Sequence, residues 1–347
     1  MVPGLGCGTC TLVLAWKTAK AQDSGILAYS YEGPVPAVEP SMQARMVGLL
    51  HALATQEGYT LTALPGVHLL RSDRPLARTP VLYDPGIVIV CQGVKRGYMG
   101  AKVYQYDAQH YLAVSVPVPF TMETEASADA PLLAIYLQLD LQLAADLMLE
   151  LEAHADAVPA PAQSMMASPM EAAMQATVLR LLEALGDPLE AAVLGPALVR
   201  ELYFRVLTGA QGGAMRAALA MRGRFGRIGK VLRHIHAAYA TALDVDALAA
   251  EAEMSVPTFH VHFRAITGTS PMQYVKSTRL HQARLLMLRQ GMTAEAAALG
   301  VGYASASQFN REFKRLFALP PAAEVARMRR SFALPPAAVD AVYVSSH

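Results

Sequence analysis

Cysteine is scarce in this chain: Cys7, Cys10 and Cys91 are all there is among 347 residues. Three thiols cannot staple a protein of this size, so a reducing, cytoplasmic setting fits best. Cys7-Gly-Thr-Cys10 has the spacing of a thioredoxin-like pair, but no βαβ pattern surrounds it and no redox role is assigned. Long apolar runs are missing too. Nothing approaches the roughly 20 apolar residues that a membrane-spanning helix needs, and residues 11–16 are too short, and lack a basic flank before them, for a signal-peptide core. There is no P-loop, no nucleophile elbow and no HExxH. His68 and His110 stand apart from other ligand types, so no metal, no cofactor and no catalytic residue is expected.

Net charge is also nearly absent, at +1, yet it is unevenly spread. Residues 224–330 hold 15 Lys and Arg against 7 Asp and Glu, a local +8; residues 1–223 hold 14 against 20, a local −6. A basic C-terminal third attached to an acidic remainder is the footprint of a polyanion-binding module. The length exceeds one ordinary domain of about 150 residues and predicts two.

Residues 1–40 are rich in Gly, Pro and small side chains without periodicity and read as a disordered leader. Met42 and Met46, at the start of the first clear helix, are candidate translation starts. Ser41 is a good N-cap for that helix, which carries Met46, Leu49, Leu50 and Leu53 on one side and ends before Gly58. From residue 59 to 139 the pattern turns to short β-rich runs at 59–64, 67–70, 87–91, 103–106, 111–116, 120–125 and 132–138, which predicts an antiparallel sandwich or small barrel. Helices follow near 139–153, 169–185 and 188–207. Their stripes of Leu179, Leu182, Leu185, Leu194, Leu198, Leu202 and Val206 fit either an intradomain core or the seam of a homodimer. The resulting division is a leader at 1–40, a β-rich domain with helices at 41–208, a Gly/Ala-rich linker at 209–223, a basic domain at 224–330 and a tail at 331–347.

The basic domain contains a duplication. Ser255-Val-Pro-Thr-Phe259 superimposes on Ser305-Ala-Ser-Gln-Phe309, and Phe259, Phe263 and Ile266 fall on Phe309, Phe313 and Leu316 at an offset of fifty. Each copy reads as a short helix, a tight turn and a second helix, the arrangement in which the second helix enters a DNA major groove. On a helical wheel the aromatic face is core, while Ser255, Pro257, Thr258, His260, Val261 and Arg264 in the first copy lie elsewhere. Ser305, Ser307, Gln308, Asn310, Arg311 and Lys314 do so in the second. Polar side chains there suit base-edge and phosphate contacts, Arg above all. Between the copies, Ser270, Pro271 and Gly291 delimit a helix of about 20 residues, about 30 Å long, which can carry the two units to adjacent grooves. Its Lys276 and Arg279 are candidates for phosphate contacts.

Gly302-Tyr303, Ser305, Gln308-Phe309, Arg311, Phe313-Lys314, Phe317 and Pro320, with Thr267-Gly268-Thr269-Ser270-Pro271 upstream, resemble the AraC/XylS-type DNA-binding domain. Residues from about 80 to 140 resemble the cupin-like N-terminal domain of one AraC-type subgroup. The resemblance implies an α+β chain with a cupin-like β-barrel or sandwich and flanking helices, followed by an all-α double helix-turn-helix joined by a long helix. It also implies a transcription regulator that binds promoter DNA, controlled by a small-molecule effector or by dimerisation, with RNA polymerase a further partner if the output is activation. Tyr83, Gln92, Tyr98, His110 and Tyr111 are the candidate effector residues. Two departures stand out: Glu253 where a turn glycine is common, and Ala296–Ala298 where larger apolar residues are usual. The alternatives are a DNA-repair methyltransferase of the Ada type, which requires a four-cysteine zinc site, and a metal-dependent cupin enzyme with an appended DNA-binding domain.

Overall fold

A computed structural model describes residues 40–154, 160–220 and 223–331. The leader through Glu39, with its two cysteines, and the tail beyond 331 lie outside the described residues.

Helix α1 (Met42–Leu53) starts on Ser41, whose Oγ accepts from the Ala44 amide at 3.2 Å. Ten strands follow: β1 (Gly58–Leu61), β2 (Val67–Ser72), β3 (Leu76–Tyr83), β4 (Gly86–Gln92), β5 (Val94–Met99), β6 (Lys102–Asp107), β7 (His110–Val114), β8 (Val118–Glu125), β9 (Leu132–Gln138) and β10 (Met165–Pro169). They form one antiparallel sheet in the order β1-β2-β9-β4-β7-β6-β5-β8-β3, with β10 added on β7. This is a curled half-barrel rather than two packed sheets. Its central strands are apolar on both faces, and the period-2 alternation sorts them. Val88 and Val90 of β4 and Leu132 and Ala134 of β9 point to the concave interior. Ile87, Ile89 and Cys91, with Leu133, Ile135 and Leu137, point to a layer of helices on the other face.

That layer consists of α1, α2 (Leu141–His154), α3 (Ala172–Leu185), α4 (Pro188–Thr208) and α5 (Gly212–Leu219). Leu179, Leu182, Leu198, Leu202 and Val206 are buried in it, so most of the leucine stripe is core; Leu194 is exposed. The stretch expected to be a linker, 209–223, instead holds α5, whose Ala214, Met215 and Ala218 are buried.

The C-terminal region is α6 (Gly223–Ala238), α7 (Val245–Glu251), α8 (Val256–Thr267), α9 (Pro271–Arg289), α10 (Ala294–Gly300), α11 (Ala306–Phe317) and α12 (Pro321–Ser331). The interior cluster of the half-barrel runs without a break into Phe225, Ile228, Leu232, Leu248, Phe259, Phe263 and Tyr274 of the first helix-turn-helix unit. The second unit has a separate core of Leu280, Met287, Ala297, Ala298, Tyr303, Phe309, Phe313 and Phe317. Tyr274 fastens the sheet to both α6 and α9: its Oη donates to the Pro117 carbonyl at 2.9 Å and lies 2.6 Å from His236 Nε2. Because the single hydroxyl proton goes to Pro117, His236 donates from Nε2.

Candidate nucleic-acid interface

Both units are built by the same local chemistry. Asp244 and Thr293 cap α7 and α10 through the amides of Ala247 and Ala296, at 2.9 and 3.2 Å. Ser305 caps α11 through the Gln308 amide at 3.3 Å. Ser255 opens α8 differently, its Oγ donating to Thr258 Oγ1 at 2.9 Å.

The offset of fifty holds only from these serines onward. The bonds closing the two turns, Met254 N to Ala249 O and Tyr303 N to Ala298 O, are related by forty-nine, so the second turn is one residue longer. Glu253 therefore corresponds to Gly302, and both have left-handed backbones, φ +53 and +85. The first unit places a glutamate where a Cβ is strained. The second could not: a Cβ on Gly302 would lie 2.3 Å from the Ala240 carbonyl oxygen. The small Ala297 and Ala298 are fully buried all the same, next to a buried Tyr303 whose ring meets Phe309 edge-on at 5.4 Å.

On α8 the aromatic face, Phe259 and Phe263, is fully buried, and Ser255, Pro257, Thr258, His260, Val261 and Arg264 are exposed. On α11 Phe309, Phe313 and Phe317 are buried, and Ser305, Ser307, Gln308, Asn310, Arg311 and Lys314 are exposed. Among the described residues no hydrogen bond or ion pair engages the Asn310, Arg311 or Lys314 side chains. Gln308 is partly committed, its Nε2 donating to Glu312 Oε1 at 3.2 Å.

Lys276 and Arg279 behave differently from the phosphate contacts expected of them. Lys276 Nζ is 3.2 Å from Glu312 Oε1. Arg279 is half-buried and donates to the carbonyls of Tyr239, Thr241 and Gly302, at 2.6, 2.7 and 3.4 Å. One guanidinium thus ties the end of α6 to the turn of the second unit, a use that its fixed fork of five donors allows and an ammonium would not. Glu312, missed by the sequence reading, is the hub beneath α11. Burial works against its charge, but donors from Tyr303 at 2.7 Å, Gln308 and Lys276 win and hold its carboxyl below the ordinary glutamate value. A second buried charge, Arg284, pairs with Glu324 at 3.2 Å between α9 and α12 and lies over the Phe317 ring.

The five candidate effector residues do not converge. Tyr83 lies in the half-barrel interior, its Oη 3.3 Å from that of Tyr106. Gln92 donates to the Pro131 carbonyl at 2.9 Å. Tyr98 faces outward, bonded to Glu123 and stacked under Arg78. His110 opens β7, its Nδ1 3.1 Å from Asp107 Oδ1, and Tyr111 packs into the helical layer. The interior instead presents Lys95, fully buried, with Nζ 3.0 Å from Met122 Sδ and 3.4 Å from Thr124 Oγ1; burial lowers its pKa well below the usual lysine value. The alternation of β5 could have shown Lys95 pointing inward, but Arg96 beside it makes the pair look like a solvated run.

Two helix-turn-helix units joined by one long helix and seated on a curled antiparallel sheet define a two-domain helix-turn-helix protein. Residues 63–214 match the AraC-type transcriptional regulator N-terminus, and residues 248–327 match a helix-turn-helix domain family. The chain belongs to the AraC-type transcriptional regulators. It is 33% identical over 104 residues to the RCS-specific HTH-type transcriptional activator RclR of Escherichia coli K12, a stretch covering 30% of this chain and 37% of RclR. The chain thus matches little more than a third of that relative's length. In fold it is similar to ToxT of Vibrio cholerae. An apo ToxT variant superimposes with a TM-score of 0.53 at 11% identity, over 78% of this chain and 99% of ToxT. Wild-type ToxT with an unsaturated fatty acid bound gives 0.53 and 11% over 80% and 98%.

Proposed function

We propose that the chain is a sequence-specific transcription regulator whose α8 and α11 enter successive major grooves on one face of promoter DNA. The observation that carries this is the pair of second helices that bury their aromatic faces and leave Arg264, Asn310, Arg311 and Lys314 on the solvent side, on a domain of local charge +8. Helix α9, 19 residues or about 28 Å long, spaces them for grooves about 34 Å apart. Lys276 and Arg279 are left out of the contact set because they serve the domain's interior. The half-barrel carries the response to a small-molecule effector, a reading supported by the N-terminal family match and by the fold it shares with ToxT, which has been solved with a fatty acid bound.

Selection of genomic fragments on the purified protein tests this. It should return a discrete sequence motif with affinity that falls steeply as salt rises, through counterion release. Arg311→Ala should weaken binding to that motif by about 1–3 kcal/mol and relax preference at one position. Fragments without a shared motif, or salt-independent affinity, would reject the reading.

Pairing of two copies is supported by an exposed apolar strip on α4, Leu189, Val193 and Leu194. Sedimentation should find a dimer for the wild type and a monomer for Val193→Glu; equal masses for both would remove α4 from the interface.

A further inference from the structure

A glutamine with both N–H groups free can donate to the two acceptors of guanine, or use one N–H and its carbonyl to pair with adenine. Such a side chain selects neither base firmly. Gln308 is not free in this way. It stands in the first turn of α11, just after the Ser305 cap, where a reading helix reaches base edges. Its side chain is exposed, yet its Nε2 lies 3.2 Å from Oε1 of Glu312, one turn further along the helix.

Glu312 fixes the direction of that bond. Its side chain is only 9% exposed and gathers three donors: Lys276 Nζ and Gln308 Nε2, both at 3.2 Å, on Oε1, and Tyr303 Oη at 2.7 Å on Oε2. Burial opposes its charge, but the donors outweigh it and keep the carboxyl ionised. An ionised carboxylate only accepts, so it takes an N–H of Gln308 and cannot face the amide oxygen. One donor of the amide is thereby spent. What remains for DNA is one N–H and the Oε1 acceptor. Adenine presents the complementary pair in the major groove, the N7 acceptor and the N6–H donor. Guanine presents two acceptors, N7 and O6, one of which would be set against Oε1.

The arrangement belongs to the second arm alone. At the offset of fifty, Thr258 and His262 stand where Gln308 and Glu312 do, and among the described residues no hydrogen bond joins them. Asn310, the other amide on the solvent side of α11, has no such tether.

We propose that Glu312 is a positioning residue that makes Gln308 a reader of adenine, and so sets one base of the recognised sequence without touching DNA. This rests on the groove-reading role of α11 proposed above.

The test is selection from a randomised duplex library with the full-length chain and with Gln308→Met. The position read by Gln308 is the one whose preference the substitution erases, and it should be adenine. For the wild type, guanine there should weaken binding at least about tenfold, and 7-deazaadenine, which lacks the N7 acceptor, several-fold. Tyr303→Phe combined with Glu312→Met removes the carboxylate and the buried hydroxyl that donates to it together, so that neither is stranded. In this variant the guanine penalty should fall to within about threefold. Glu312→Asp, which keeps the charge but draws the oxygens back by one methylene, should narrow it too. A purely structural role for Glu312 would lower affinity for both bases alike and leave their ratio unchanged. The assignment is overturned by a guanine preference or no purine preference at that position, by no position responding to Gln308→Met, by indifference to 7-deazaadenine, or by an unchanged ratio in whichever variant still binds the motif. The wild-type comparisons decide even if the double variant does not fold. Selection that returns no motif at all would sink the groove-reading role itself; a motif without adenine at the Gln308 position would sink only the role of Glu312.

Discussion

At the scale of single residues, the two reading helices offer different chemistry. Helix α11 presents amides, a guanidinium and an ammonium, whereas α8 presents, beside His260 and Arg264, the less polar Pro257, Thr258 and Val261, the last 66% exposed. Apolar side chains in a major groove meet the thymine methyl, the one apolar feature there. Under the proposed reading, replacing thymine by uracil removes only that methyl. In the half of the selected motif read by α8 it should weaken binding several-fold, and in the half read by α11 it should not; equal sensitivity of both halves would reject the division. His236 gives a second prediction, about stability. Burial pushes its pKa down to about 4 in the folded chain, so between about pH 6.5 and 4 the unfolded chain binds the extra proton. Stability due to this residue is complete above 6.5 and is lost on acidification. Asp84, pushed up to about 8 by burial, works in the opposite sense: the folded chain keeps its proton up to about pH 8, so its contribution declines as pH rises. The two are separated by comparing wild type with His236→Asn, because Asp84 is common to both. The stability advantage of wild type in urea unfolding should shrink by about 2 kcal/mol between pH 7.5 and pH 5.

At the scale of elements, the helix-turn-helix units were legible because capping residues, Pro271 and aromatic spacing all act locally. The strands missed were β3, β5 and β10. In β3 a Pro80 breaks the pattern, in β5 Lys95, Arg96 and Gly97 hide it, and β10 exists because β7 offers it an edge, which no local pattern records. The roles of Arg279 and Glu312 were illegible for the same reason: the partners of Arg279 are 23 to 40 residues away in sequence, and those of Glu312, Gln308 on its own helix aside, are 9 and 36 away. Arg279 holds the two units in a fixed relation. Arg279→Met keeps the apolar stem and loses all three carbonyl bonds. It should lower affinity for the complete motif about tenfold while leaving a duplex containing only one half-motif unchanged, as read by fluorescence anisotropy; an equal loss on both would mean that Arg279 contacts DNA itself.

At the scale of the whole molecule, the two arms are not equivalent. The first shares one unbroken apolar interior with the half-barrel, stitched by the Tyr274 bond to Pro117, whereas the second is packed round its own phenylalanines. The direction in which α8 points is therefore a property of the barrel as much as of the arm: whatever swells or tightens that interior is felt there as a change of aim. The second arm takes its bearing from α9, the Arg279 tie and the β3–β8 edge, where Arg284 donates to the Pro80 carbonyl at 3.4 Å. One chain thereby couples its two arms to the barrel unequally, the first through a shared interior and the second through an edge contact.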